Sequence, residues 1–292
     1  MHYVPPMTFE VTFTDARGVL ANASAYLASE PVLHTVLSTV AHRLVDAPVT
    51  TQPRWFAIVS EADRTVGVAM RTAPFPPHPV YVLPMPEAAA RALGEALRAR
   101  GEAVTELNGF LPALEHLGAG LGKRPVMRER LSLFELATPR APTTTPTGSL
   151  RVATDDDIEL VHRWFNEFGL AAAAQAGRPA EDHGERVSLA DVTKEIANGL
   201  IRIWDDGGPV HVSAARPPSF GVARIGPVYT PAEHRGRGYA GATVHALAEQ
   251  LLAEGARVCL FADQANPIST RLYESLGFRA VAETALVALR QV

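Results

Sequence analysis

The residues whose types and spacing could do chemistry lie late in the chain. Arg235-Gly236-Arg237-Gly238-Tyr239-Ala240 follows a strand-like run over residues 222–229 and a turn at Pro231, and it precedes a stretch with helical spacing. A glycine-rich turn opening onto a helix leaves several backbone N–H groups unpaired and pointing one way. With the positive end of the helix dipole they form a site for a phosphate or pyrophosphate. Gly236 and Gly238 carry no Cβ, so backbone can approach such a ligand closely. Main-chain donors supply most of such a contact, so Gly238 should matter more than the charge on Arg235 or Arg237.

Two phosphate-binding patterns fail on residues. A P-loop needs Gly-Lys-Ser/Thr for the β/γ-phosphates and the metal, and here Tyr239 and Ala240 follow the glycines. A dinucleotide fingerprint needs G-x-G-x-x-G early in a βαβ unit, with an acidic residue about 20 positions later. Gly236, Gly238 and Gly241 have that spacing, but they come after a long strand near the end of the sequence, and Ala253-Glu254-Gly255 reads as a helix ending.

The pattern Arg235-x-x-Gly238-x-Ala240 resembles the Gln/Arg-x-x-Gly-x-Gly/Ala loop of the GCN5-related N-acetyltransferase (GNAT) superfamily. A second segment, from Asn266-Pro267 through Ser269 and Tyr273 to Leu276-Gly277-Phe278, is similar to that superfamily's second coenzyme-binding motif, and it stands in the right order and at about the right distance. The resemblance spans residues 150–292 and implies acetyl-CoA as cosubstrate, without a metal. It points to Val228, Tyr229, Arg235, Gly236, Arg237, Gly238, Tyr239, Ala240, Asn266, Ser269 and Tyr273 as coenzyme-binding residues. Asn266 reads in its own right as a helix N-cap with Pro267 in the favoured first position; a hydrogen bond to the pantetheine arm would be a further role.

In the reaction that the resemblance implies, an amine attacks the thioester carbonyl directly. The departing sulfur needs a proton, and Tyr273 is the candidate general acid; its alternative is a buried structural tyrosine. The oxyanion needs a donor, and the backbone N–H of Val228, beyond an expected bulge at Gly226-Pro227, is the candidate. An alkylammonium with a pKa near 10 must lose a proton before attack. Glu233, His234, Asp263, Asp205 and Asp206 are all possible bases. Asp263, at the C-terminal end of a buried strand, has the best address, and the assignment stays open.

Composition limits the classes. The 292 residues are 47% hydrophobic and 20% charged, with a formal net charge of −4, so no global basic field favours nucleic acid. No run approaches the roughly 18 apolar residues of a membrane span, and the N-terminus lacks a basic region followed by an apolar core. One cysteine rules out an internal disulfide framework, and Cys259, mid-strand, reads as core. The ten histidines show no ligand spacing. A cytoplasmic protein is expected, with a small-molecule or peptide amine as partner and a homodimer as the self-association to consider.

The elements that must position these residues read as mixed α/β. A Pro/Thr-rich stretch, 138–148, reads as a semi-stiff linker between a domain at 1–137 and a GNAT domain at 149–292. In the latter, Thr154 caps a helix opening on Asp155, Asp156 and Asp157. A second helix spans 189–198, with strands at 200–204, 210–214 and 220–229 and a turn at Pro217-Pro218. The helix after the glycine loop ends at Gly255. A strand at 257–262, a helix at 267–276 and strands at 278–281 and 284–292 follow. The first half gives helices at 21–27, 32–44, 87–100 and 110–120, and strands at 9–14, 55–60, 66–71, 80–83 and 128–134. Its order repeats that of the second half in outline, which points to two tandem GNAT-like domains. At the corresponding strand–helix junction, Leu83-Pro84-Met85-Pro86-Glu87 has no glycine, so the first should not hold coenzyme A. The expected activity is acyl-CoA-dependent N-acyl transfer, with a non-catalytic acyl-CoA sensor as the alternative.

Overall fold

The computed structural model describes residues 8–47, 50–179 and 187–291. The residues expected as the last of the chain's final strand (Val292) and the N-terminal 1–7 lie outside that set. One element order, strand, two helices, three strands, helix, strand, helix, strand, occurs twice. The first pass is β1 (Phe9–Thr14), α1 (Ala16–Ser29), α2 (Thr35–Leu44), β2 (Trp55–Glu61), β3 (Arg64–Arg71), β4 (Val80–Val82), α3 (Glu87–Ala99), β5 (Glu106–Phe110), α4 (Ala113–Gly120) and β6 (Lys123–Leu136). The second is β7 (Ser149–Val152), α5 (Ile158–Gln175), α6 (Leu189–Ala197), β8 (Ile201–Asp205), β9 (Pro209–Ser219), β10 (Val222–Tyr229), α7 (Tyr239–Ala253), β11 (Arg257–Asp263), α8 (Pro267–Ser275) and β12 (Phe278–Gln291).

The chain divides into two compact units, residues 1–130 with 282–292, and residues 131–281. These differ from the sequence-based boundaries at 137 and 149, because the last strand of each pass completes the other unit's sheet. The first unit's sheet runs β1-β2-β3-β4-β5-β12, with Thr284–Ala288 antiparallel to β5. The second runs β6-β11-β10-β9-β8-β7, with Leu131–Glu135 antiparallel to β11. Within each, one pair is parallel, β4 with β5 and β10 with β11.

Three local readings change. Residues 106–110 form β5, where the sequence indicated no element before a helix at 110, and that helix, α4, starts at Ala113. Pro217 and Pro218 sit inside β9, and the reversal falls on Phe220-Gly221, both with positive φ. The two expected final strands are one, β12. The capping at the start of α5 is as expected. Thr154 and Asp157 form a reciprocal capping box, and Arg151 holds the Asp157 carboxylate with both Nη atoms at 2.7 and 2.8 Å.

In the second unit, side chains alternate between two apolar layers, one on each face of the sheet. Ile225, Val244, Leu247, Leu260, Tyr273 and Phe278 meet on the α7/α8 face. Val161, Trp164, Val192, Ile203, Val212 and Tyr229 meet on the α5/α6 face. Residues 138–148 are anchored rather than free. Arg140 N–H donates to Leu276 O at 3.0 Å, Ala137 N–H to Gly277 O at 3.1 Å, and Trp204 Nε1 to Thr147 O at 2.8 Å. Gly277 ends α8 at φ +96°, and a Cβ there would meet Thr138 O at 1.8 Å. Gly277→Ala should therefore destabilise the chain by at least about 2 kcal/mol. A urea midpoint equal to that of the parent would contradict this.

Candidate active site

The site begins where a parallel ladder stops. β10 and β11 pair at Val222–Arg224 against Arg257–Cys259 and no further. Both strands continue, to Tyr229 and to Asp263. On its other edge β10 loses register with β9 between Ile225 and Val228, which is the bulge expected at Gly226-Pro227. β11 meanwhile stays paired with β6 as far as Asp263. The result is a gap between the C-terminal ends of two neighbouring strands. Val228, with its side chain against the α7/α8 layer, and Tyr229, in the α5/α6 layer, border it on the β10 side.

The glycine loop leads from this gap into α7. Gly236 and Gly238 have φ of +76° and +88°, and Gly238 is the N-cap. No side chain caps α7, so the first-turn N–H groups keep their capacity for an anion. A Cβ on Gly238 would stand 2.9 Å from Thr144 Oγ1, so residues 138–148 pass beside the loop. Tyr239 is buried, its ring near Trp204 and its hydroxyl donating to Asp206 at 2.5 Å; Thr147 Oγ1 donates to the same oxygen at 2.8 Å. Those two hydrogen bonds hold the Asp206 carboxyl below the usual carboxylate range. Tyr239 thus fixes the loop with its side chain and has only main chain to offer a ligand, as does Ala240.

The two arginines divide. Arg235 Nε donates to Thr230 O at 3.0 Å, and its two Nη atoms lie 3.1 Å from the side-chain amide of Gln175. Arg237 donates to Glu233 O at 3.5 Å and lies close to the Tyr239 hydroxyl and the Asp206 carboxylate. Across the gap, Asn266 caps α8 as expected, its Oδ1 accepting from Ile268 and Ser269 N–H at 3.2 and 3.3 Å. Its Nδ2 meets Gln175 Oε1 at 2.8 Å.

Tyr273 stands on α8 in the layer that also receives Val228, between Phe134 and Phe278 with ring centroids at 6.3 and 6.2 Å. Burial pushes its phenol up to about 12. Asp263, the best-placed of the base candidates, is already engaged by Arg178 and by Ala265 N–H at 2.9 Å. Asp205 is held by Arg151 and by Gly208 N–H. Glu233 is exposed, and His234 is half-buried with Nδ1 unpartnered. Cys259 is buried in β11, as expected.

Three residues near the gap carry no signal in the sequence. Glu167 on α5 accepts from the Tyr229 hydroxyl at 3.1 Å; burial first, then this carboxylate, pushes that phenol up to about 12. Gln175 is the second. His211 on β9 is the third, fully buried, with Thr230 Oγ1 2.7 Å from Nδ1 and Ser213 Oγ 2.8 Å from Nε2. Hydroxyls at both nitrogens suit either neutral tautomer. Among the described residues no group of three potential metal ligands occurs, and no helix is long and apolar enough to cross a membrane.

Solved structures of the same architecture cover nearly the whole chain. A GCN5-related N-acetyltransferase from Sphaerobacter thermophilus is 18% identical, with a TM-score of 0.62 over 96% of this chain and 95% of its own. The chain has the GNAT fold. A tandem GNAT protein from the clavulanic acid biosynthesis pathway matches with a TM-score of 0.61 at 17% identity, over 96% of this chain and 98% of its own. A GNAT-family acetyltransferase from Colwellia psychrerythraea matches at 0.58 and 12%, over 96% and 99%. Residues 216–287, from β9 into β12, match the family model described as FR47-like protein. Curated protein sequences give no match. The repeated element order is that of two GNAT-like units in tandem.

His211 generates a pH dependence. Burial lowers its pKa to about 3 from 6.5, so between those values the unfolded chain binds a proton that the folded chain does not. Stability is full above pH 6.5 and falls as pH drops towards 3, by about 1.4 kcal/mol per pH unit from this group. His211→Gln should flatten the dependence of the urea midpoint on pH between 6.5 and 4.5. An unchanged slope would remove His211 as its source.

Proposed function

We propose that the second unit is an acyl-CoA-dependent N-acyltransferase that moves acetyl from acetyl-CoA to a primary amine by direct attack. The observation that carries this reading is the parallel ladder opening after Arg224 beside a helix whose glycine N-cap leaves its first N–H groups free. In this reading an extended arm lies along the gap, and the pyrophosphate at one end of that arm sits at the helix start. Among the described residues the first unit has no such pair of features. There β4 and β5 stay paired through Val82 and Gly109, close enough that a Cβ on Gly109 would meet Val82 O at 2.1 Å. Its α3 has Pro86 at the N-cap and Glu87 in the first turn, which repels phosphate. One coenzyme per chain follows.

Val228 N–H is assigned to the oxyanion that forms as the amine nitrogen adds to the thioester carbonyl. Collapse breaks the carbon–sulfur bond; nitrogen keeps the acetyl group and gives its proton to water, and the sulfur leaves as a thiolate that takes its proton from solvent. Tyr273, in the layer that also receives Val228, is assigned to the departing sulfur. A phenol near 12 is a weaker acid than a thiol of about 8.5, so full transfer of its proton runs uphill. Its role is to donate a hydrogen bond to the developing thiolate, a charge-assisted contact of about 1.5–3 kcal/mol. Raised acidity is unnecessary for that, and burial keeps the group protonated across the working range.

Two variants test the assignment. Gly238→Glu places a carboxylate where the anion would sit and a side chain on backbone at φ +88°; calorimetric binding of acetyl-CoA, expected at one site per chain, should vanish. Tyr273→Phe should lower turnover at least tenfold with acetyl-CoA affinity nearly unchanged, and equal turnover would take Tyr273 out of the reaction. Free-thiol release from acetyl-CoA across a panel of antibiotic amines, polyamines, amino acids and peptides identifies the acceptor. Binding without turnover on any of them would turn the reading to a sensor.

A further inference from the structure

We infer that Gln175, at the end of α5, is a positioning residue that ties the start of the glycine loop to the start of α8 and thereby sets the spacing of the two coenzyme anchors. The inference rests on the coenzyme site proposed above. The Gln175 amide stands between two sets of donors. In one orientation Oε1 accepts from Asn266 Nδ2 at 2.8 Å. Turned over, it accepts from Arg235 Nη1 and Nη2, each at 3.1 Å. A primary amide has one oxygen, and its nitrogen only donates, so either choice leaves one donor facing another.

Neither neighbour can resolve the conflict. Asn266 cannot rotate its oxygen towards Gln175, because Oδ1 holds the Ile268 and Ser269 N–H groups that start α8. Arg235 is fixed by Nε on Thr230 O and has no acceptor of its own to offer. Within the protein, Gln175 therefore serves either Asn266 or Arg235 at one time, and because Gln175 and Arg235 are exposed the other is left to solvent, on the line between the phosphate loop and α8. An acceptor oxygen of the coenzyme placed on either donor lets Gln175 commit to the other. Ligand contact and the protein's internal tie then strengthen together. Arg178 extends the same grip to Asp263, the last residue of β11, which also accepts from Ala265 N–H. The end of α5 thus holds both rims of the gap, Arg235 beyond β10 and Asp263 with Asn266 beyond β11.

Gln175→Leu removes the shared acceptor, and Gln175→Glu supplies two oxygens in its place. Amide hydrogen exchange on the ligand-free protein reads the tie directly. Gln175→Leu should speed exchange at least fivefold in peptides covering 236–240 and 267–270, and Gln175→Glu should stay within twofold of the parent. Calorimetry should show acetyl-CoA affinity at least fivefold weaker in Gln175→Leu, with an unchanged melting temperature. Unchanged exchange in Gln175→Leu would overturn the tie. Faster exchange with unchanged affinity would overturn its positioning role. Failure of the parent protein to bind acetyl-CoA would overturn the coenzyme reading alone, and exchange would still decide the tie.

Discussion

The interaction on which the second unit turns is a hydrogen-bond ladder that ends early. Parallel strands normally pair to the length of the shorter one, since unpaired backbone is costly away from water. Here pairing stops at Arg224, a bulge at Gly226-Pro227 takes β10 out of register with β9, and β11 keeps its partner on the far side. Beyond Arg224 the β10 backbone facing β11 has no ladder partner on that strand. The other features of the site take their place from this one: Val228 and Tyr229 on opposite faces, α7 starting just beyond, and α8 bringing Tyr273 back to the same layer.

The first unit shows the same chain path without the opening. Its α3 and α4 are so close that a Cβ on Gly94 would meet Leu117 O at 2.4 Å and one on Gly120 would meet Arg91 O at 2.2 Å. Its β4 ends at Val82, while the corresponding β10 runs on to Tyr229. The β4–β5 ladder is closed where the corresponding β10–β11 ladder opens. One architecture therefore occurs once with its parallel ladder closed and once with it open, which accords with the view that activity belongs to sites and not to folds.

What could be read from the residues was local in sequence. The glycine loop, the Asn266 cap and the α8 closure at Gly277 each depend on neighbours a few positions away, and each stands as the spacing requires. The layer holding Tyr273 could be anticipated from helical spacing; its weakened acidity could not, because that comes from burial, to which Phe134 on β6, distant in sequence, contributes beside the neighbouring Phe278. Glu167, Gln175 and His211 gave no signal for a related reason: an ordinary helix or strand residue becomes special only through partners brought up by the fold. β5 gave no signal because Glu106–Phe110 holds only Leu107 and Phe110 as large apolar residues, too few to set a period. The crossing of β6 and β12 was hidden because an alternating pattern states that a strand has a buried face and does not name its neighbour.

That crossing has a consequence for how the chain is made. β12 is translated after the whole of residues 1–277, yet Thr284–Ala288 pair with β5, and Ala285 and Val287 fill the first unit's core. During synthesis, β5 therefore waits as an exposed edge of the kind that invites pairing with another chain. The first half of the sequence cannot close its own sheet when it emerges. Its completion is deferred until the second half has been made, so the two halves reach their final form as one event, at the entropic cost of closing a long loop.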